Sequence, residues 1–433
     1  MNRNRSDTGV PVERVQFPHR VSRVSVALGT TRPLPVRTTP IRDPGNLLAS
    51  LPRTAPYAWI RHGEGLVGWG QAARADIPPG PDRFAWARQW LAAVFDDAHS
   101  DDDDALPPGS GPVAFGTFTF DENSAGSTLV VPQTILARRN GRAWLTTIGD
   151  APHQTFTPLL DPGRISYGDG SLTAPAWEHV VARAARRIRD GELEKVVLAR
   201  DLLATAEHPI DIRLLLLRLA RRYPECYTFS VAGLVGATPE LLIRRTGQEI
   251  QSLVLAGTTP RGTGPADDLR RGAALLASAK DRHEHECAIA SVRQTLAPLC
   301  AQLHTPDEPE LLVLPNVQHL ASHVSGRLAD GASVLDVVAA MHPTAAVGGT
   351  PTHKAIDVIR ELEGMDRAGY AGPVGWIDAH GDGEWGIALR SGIVEGRRAR
   401  LFAGGGIMGD SDPASELAEA QAKFRVMQYA LEG

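Results

Sequence analysis

The apolar positions of this chain fall into two regimes. Up to about residue 165, short β-branched and aromatic runs dominate: VSRVSVAL (21–28), the stretch around Tyr57, PVAFGTFTF (112–120) and AWLTTIG (143–149). Such runs predict strands. From Ala176 onward helices become legible. In AWEHVVARAARRIRDGEL the apolar residues Trp177, Val181, Ala184 and Ile188 recur at helical spacing, and Gly191 ends the element. Lys195–Leu203 is β-branched and apolar, a buried strand, and IRLLLLRLARRY (212–223) predicts the next helix. The runs CYTFSVAG (226–233), ELLIRRTG (240–247) and EIQSLVLAG (249–257) follow one another with short turns, which predicts antiparallel pairing. Runs of strands mixed with long helices define an α+β protein with large, mostly antiparallel sheets.

Two turn-rich breaks interrupt the pattern. Asp96–Gly111 is acidic and Pro/Gly-rich, the composition of a solvated loop, and Asp161–Pro175 predicts a connector. The expected organisation is a tail over 1–22, a strand-rich half over 23–165 and a chemistry-bearing region over 174–433, all of one fold.

With 433 residues and 42% hydrophobic content, the chain can bury a large core. Its 45 basic and 50 acidic residues leave a net charge of −5, which gives no reason to expect a nucleic-acid partner. No apolar run approaches the length of a membrane span, and the Arg-rich start lacks the apolar core of a signal peptide. A cytoplasmic location follows as the expectation. Cys226, Cys287 and Cys300 show no paired spacing, so they are expected to be small buried apolar residues rather than a disulfide or zinc framework.

Chemistry gathers near the C-terminus. RARLFA (398–403) runs into Gly404-Gly405-Gly406 and then a helix for which Asp412 is a plausible N-cap and Pro413 a first residue. Glu416, Glu419 and Lys423 share one face of that helix. They form either a solvated surface or, beside a glycine loop offering backbone N–H groups, an anion site. Gly404, Gly406 and Gly409 also match G-x-G-x-x-G, but too little chain follows for a dinucleotide unit. In SAKDRHEHECAIASVRQTL (278–296), Glu284 falls on the inward stripe of Ala288, Val292 and Leu296. A carboxylate there is costly unless paired or metal-bound, and with Glu419 it would make the sparse oxygen site that Mg²⁺ accepts. Lys195 opens an apolar strand, either as its solvent end or as a desolvated base with a lowered pKa. Glu240 begins another strand, either as a turn carboxylate or as a neutral general acid.

Ten segments in one order resemble the chorismate-utilising enzymes: EKVVLAR, GATPELL, LAGTTPRG, SAKDRHEHE, HLASHVSG, HPTAAVGGTP, GPVGW, GEWGIALRSG, LFAGGGIM and SELAEAQAK, spanning Ala174 to Leu431. The resemblance implies a single α+β unit with two large sheets stacked inside flanking helices. It implies Mg²⁺ held by Glu284 and Glu419, with Glu416 as a further ligand or close acceptor. It also implies substrate contacts from Lys423, Arg390 and the backbone of Gly404 and Gly406, with Gly257, Thr258 and His319 lining the pocket.

Within the family, Lys195 matches the lysine base of members that use water, and Ala256 lacks the nucleophilic lysine of aminodeoxychorismate synthases. Ala346 matches the small residue of isochorismate synthases, where salicylate synthases tend to carry threonine. The implied reaction is therefore reversible conversion of chorismate to isochorismate, for menaquinone or siderophore synthesis, with Lys195 as base and Glu240 as acid. The alternative is a salicylate synthase that goes on to eliminate pyruvate. A monomer is the family-based expectation.

Overall fold

The computed structural model describes residues 35–96, 107–150, 157–315, 317–329 and 331–433. The tail over 1–22, the run VSRVSVAL and most of the acidic loop lie outside the described residues.

Among the described residues two antiparallel sheets carry the fold, one of twelve strands and one of ten. Their facing sides meet through aromatic side chains: Tyr57 of the first stacks on Phe115 of the second at 5.8 Å, and the Trp59 indole donates to Glu384 Oε2 at 2.9 Å. Sequence halves do not map onto sheets. In the larger sheet Tyr57–Arg61 pairs with Tyr227–Val231, and in the smaller Val113–Thr117 pairs with Pro373–Asp378. Each sheet is thus completed by strands from both ends of the chain, and the core is continuous through them.

The helices form where the pattern places them. Ala174–Arg189 is capped by the Thr173 hydroxyl, has Pro175 in its first turn and arginines in its last, and buries Trp177, Val181 and Ala184. Pro413–Glu432 starts at Asp412, whose side chain accepts from Ser415 N at 2.9 Å. It packs on the strand Arg398–Ile407, while Ala279–Leu296 packs on Glu249–Pro260. Among the described residues no helix is long and apolar enough to cross a membrane.

Several expectations need correction. The connector Asp161–Pro175 contains an edge strand, Ile165–Asp169, which pairs with the outer half of Lys195–Ala206. The run CYTFSVAG does not pair with ELLIRRTG. A further strand, Leu234–Thr238, hairpins back on Tyr227–Val231, and the chain then crosses to the other sheet through Pro239 and Glu240. Turn signals show where a strand ends but not which sheet receives the next one. The three glycines 404–406 are not a loop: they continue the strand Arg398–Ile407, in register with Leu198, Ala199 and Val197. Of the cysteines only Cys226 is buried. Cys287 is exposed, Cys300 half-buried, and all three are free thiols.

Candidate active site

Two crossings between the sheets place the central side chains. The first, between Thr238 and Leu241, carries Glu240. The second, between Ile387 and Ser391, carries Arg390 in a left-handed conformation, φ +50°, an uncommon and strained position for a non-glycine residue. The crossings are tied together, since Ala237 N donates to Arg390 O and Ile387 N to Glu240 O. Arg390 is 9% exposed, yet its guanidinium makes no hydrogen bond or ion pair among the described residues.

The floor is the glycine strand. Val197 gives its N–H to Gly348 O and Ala199 gives its own to Glu363 Oε1, so neither donates across to its ladder partner, Gly406 or Gly404. These glycines occupy non-hydrogen-bonded positions, which turns their own N–H and C=O groups away from that ladder. Lys423 Nζ takes up one of them, donating to Gly404 O at 2.7 Å. Side chains would not fit here, because a Cβ on Gly404 would lie 2.2 Å from Leu198 O.

Two acid–ammonium pairs flank the floor. Lys195 Nζ lies 2.6 Å from Glu284 Oε1, and Lys423 Nζ lies 2.6 Å from Glu419 Oε1. A Cβ on Gly406 would be 3.8 Å from Glu284 Oε1, and one on Gly405 3.3 Å from Glu416 Oε2 and 3.7 Å from Glu419 Oε1. The acids of both helices therefore border the same stretch of backbone. Glu284 sits at the edge of its helix's inward stripe and is half-buried. The buried position beside it is His285, which bonds Ala256 O and Ser322 Oγ and so anchors the helix to two strands.

Opposite, the strand Glu249–Pro260 breaks register between Ala256 and Thr258, and Gly257 takes φ +78° in that bulge. The bulge sets Thr258 Oγ1 2.9 Å from His319 Nδ1. His319 Nε2 is buried without a hydrogen-bond partner among the described residues. Ala256 and Ala346 contribute small walls. All thirteen residues singled out from the sequence line one cavity of about 250 Å³.

Burial sets the charges. It pushes the Glu240 carboxyl up to about 8, against the opposing effects of Lys195 and Arg390, so this acid is protonated at neutral pH. Burial likewise drives His319 down to about 3, helped by Arg390 and Lys423, which leaves a neutral imidazole. Glu419 is held below the usual carboxylate range by Lys423, whereas Glu416 is raised by burial, despite a hydrogen bond from Ser411 at 2.7 Å. Among the described residues no three His, Cys, Asp or Glu side chains form a ready-made metal centre. The donor set is nevertheless all oxygen, and Glu416 is further raised by the charge of Glu419. A hard divalent cation completed by water and ligand oxygens would relieve that crowding.

Sequence reasoning passed over the support beneath the floor. Glu363 and Arg367 form a fully buried ion pair at 2.5 Å. Glu363 accepts from Ala199 N, and Arg367 donates to Val197 O at 2.6 Å and Val347 O at 3.0 Å. They satisfy the edge of the Lys195 strand between its short pairing with Gly349–Thr350 and its outer pairing with Ile165–Asp169. The i,i+4 spacing of the two residues was the available signal. Tyr370, stacked on Phe402 at 5.2 Å, also reaches the cavity wall and carried no periodic signal.

A cleft at two inter-sheet crossings, floored by glycine and walled by paired acids and ammonium groups, defines a binding protein for a small polyanion. Residues 162–432 match the family of chorismate binding enzymes, and the chain belongs to that family. It is 40% identical over 344 residues to a putative isochorismate synthase MenF of Mycobacterium tuberculosis, covering 76% of this chain and 88% of that protein. It is 42% identical over 261 residues to the isochorismate synthase MenF of Bacillus subtilis, covering 59% of this chain and only 55% of that protein. Among solved structures, a putative 2,3-dihydroxybenzoate-specific isochorismate synthase, DhbC, of Bacillus anthracis superposes with a TM-score of 0.75 at 30% identity, covering 89% of this chain and 98% of that one.

Proposed function

We propose that this protein is an isochorismate synthase, converting chorismate reversibly to isochorismate. The observation that carries the reading is the presence of a carboxyl held protonated, Glu240, and an amine side chain, Lys195, in one cavity. A displacement of one hydroxyl by another across a ring needs a base where water enters and an acid where hydroxide leaves.

In the forward direction the oxygen of water bonds to C2 while Lys195, in its neutral form, takes the proton. The ring double bonds shift, the C4–O bond breaks, and Glu240 gives its proton to the departing oxygen, which leaves as water. Lys423, Arg390 and the off-ladder backbone of Gly404 and Gly406 bind the substrate carboxylates. Arg390 suits this role because its buried guanidinium makes no hydrogen bond or direct ion pair among the described residues. Neutral His319, with an unpaired Nε2 beside Thr258, orients a polar group of the substrate. Ala256 offers no nucleophile, which leaves water as the attacking group.

Glu284 and Glu419, with Glu416 beside them, are the residues that would hold Mg²⁺. When bound, the ion would neutralise a substrate carboxylate and fix its orientation. Incubation with chorismate and Mg²⁺ followed by chromatographic product identification tests the reading. Isochorismate at equilibrium with chorismate is the expected result. Salicylate and pyruvate as the main products at neutral pH, or no consumption of chorismate, would overturn it.

A further inference from the structure

Glu240 borders a second space besides the main cleft. A chamber of about 20 Å³ lies between the start of the strand Leu241–Thr246, the strand Glu249–Pro260, the helix Ala279–Leu296 and the loop after His342. Glu240 and Ala346 line both this chamber and the main cavity, so they form part of the wall between the two. A space of that size holds one water molecule and nothing larger.

Most of the lining is apolar, and its few polar side chains divide sharply. Ser252 is occupied, its hydroxyl donating to Leu241 O at 3.4 Å. Thr344 Oγ1 is buried with no hydrogen-bond partner among the described residues. The Thr344 carbonyl shapes its loop by accepting from Val347 N and Gly348 N, but the hydroxyl takes no part in that turn. Glu240 engages the protein through its backbone, donating to Thr238 Oγ1 and accepting from Ile387 N, while its carboxyl makes no hydrogen bond among the described residues. Two buried polar groups without partners therefore border one water-sized space, and a water there would satisfy both. Ser291 is half-buried, and through it the lining reaches toward solvent.

The proposed reaction takes the proton of Glu240 at every turnover. The resulting carboxylate, 7% exposed, then faces a dianionic product in a desolvated cleft, where like charges repel strongly. Rapid recovery of the proton removes that repulsion, and the product itself blocks the front. We propose that Thr344 is a positioning residue for the acid: its hydroxyl holds one water against the Glu240 carboxyl, and the pair returns a proton to Glu240 from the Ser291 side while product still fills the cleft. The water O–H bond breaks as its proton joins the Glu240 carboxylate, the Thr344 hydroxyl passes its own proton to that water, and solvent beside Ser291 replaces the proton of Thr344. One solvent proton enters and every hydroxyl is restored. The relay rests on the hydroxyl exchange proposed above, with Glu240 as its acid.

Thr344→Val keeps the shape of the side chain and removes the hydroxyl, whereas Thr344→Ser keeps the hydroxyl. In Thr344→Val, kcat for isochorismate formation is expected to fall at least ~10-fold with chorismate KM changed less than about twofold. The solvent deuterium isotope effect on kcat should rise in that variant, and Thr344→Ser should retain most of the parent rate. Crystals of the parent enzyme should show one water within hydrogen-bond distance of both Thr344 Oγ1 and the Glu240 carboxyl. Full kcat in Thr344→Val, an equal loss in Thr344→Ser, an unchanged isotope effect, or a dry chamber in the parent crystals would overturn the relay. Near-normal turnover in Glu240→Gln would instead remove the acid itself, and the relay with it.

Discussion

Replacing Glu240 with glutamine separates two consequences of burying this acid. Glutamine has the shape of the neutral carboxylic acid but does not ionise. In the folded protein the Glu240 carboxyl titrates at about 8, against 4.5 for an ordinary glutamate. A raised folded pKa means that the native state holds the proton after the unfolded chain has lost it. The contribution to stability is full below pH 4.5, declines as pH rises through the interval, and is lost above about 8. At 1.36 kcal/mol per pH unit the whole decline is about 5 kcal/mol, of which about 3 falls between pH 6 and pH 9. The variant escapes this decline. Urea unfolding of both proteins at pH 6 and pH 9 should therefore show Glu240→Gln gaining about 3 kcal/mol relative to the parent over that interval, with unchanged m-values. At pH 7 the same variant should lose about 10²-fold or more in kcat, because the amide has no proton to transfer. A stability difference that does not change with pH would refute a buried neutral carboxyl, and near-normal turnover would refute its role as the acid.

Four further outcomes follow from the geometry. Lys195→Ala should lower kcat by about 10²-fold or more, read by isochorismate formation, and small primary amines added to the assay should restore part of the rate. The parent kcat should fall as pH rises past about 8, where Glu240 loses its proton, a limb that Glu240→Gln should not show. Arg367→Met strands the Glu363 carboxylate in the core and should cost about 3–5 kcal/mol in denaturant unfolding. Glu284→Gln and Glu419→Gln should each weaken Mg²⁺ binding by ~10-fold or more in calorimetry, each removing one of the few protein oxygens the ion would use.

Much of this protein was legible in its residues, for reasons that are local. Helical spacing through Trp177, Val181 and Ala184, the Asp412–Pro413 start and the apolar run after Lys195 each depend on neighbours a few positions away, and each element formed where expected. One helix face was enough to group Glu416, Glu419 and Lys423, and ten ordered motifs pointed to the family. The pairing of Leu241–Thr246 with Glu249–Pro260 was legible from their short turn, but most register and sheet membership was not, because it depends on partners far along the chain. The glycines 404–406 looked like a loop until their alignment with Val197–Ala199 showed them to be strand, with Gly404 too close to the Leu198 carbonyl for any Cβ. The strand Leu234–Thr238 was lost between two stronger runs, and with it the sheet crossing that buries Glu240.

The sequence by itself determined which residue types were on hand and which short segments would be helix or strand, since propensity, capping and periodicity act within a few residues. Only the tertiary structure decided that Lys195 meets Glu284 across 89 positions, that Arg390 lies buried without a direct ion pair among the described residues, and that burial keeps Glu240 protonated. Those properties come from desolvation and from charges brought close in space, and both exist only once the two sheets have closed around the cleft.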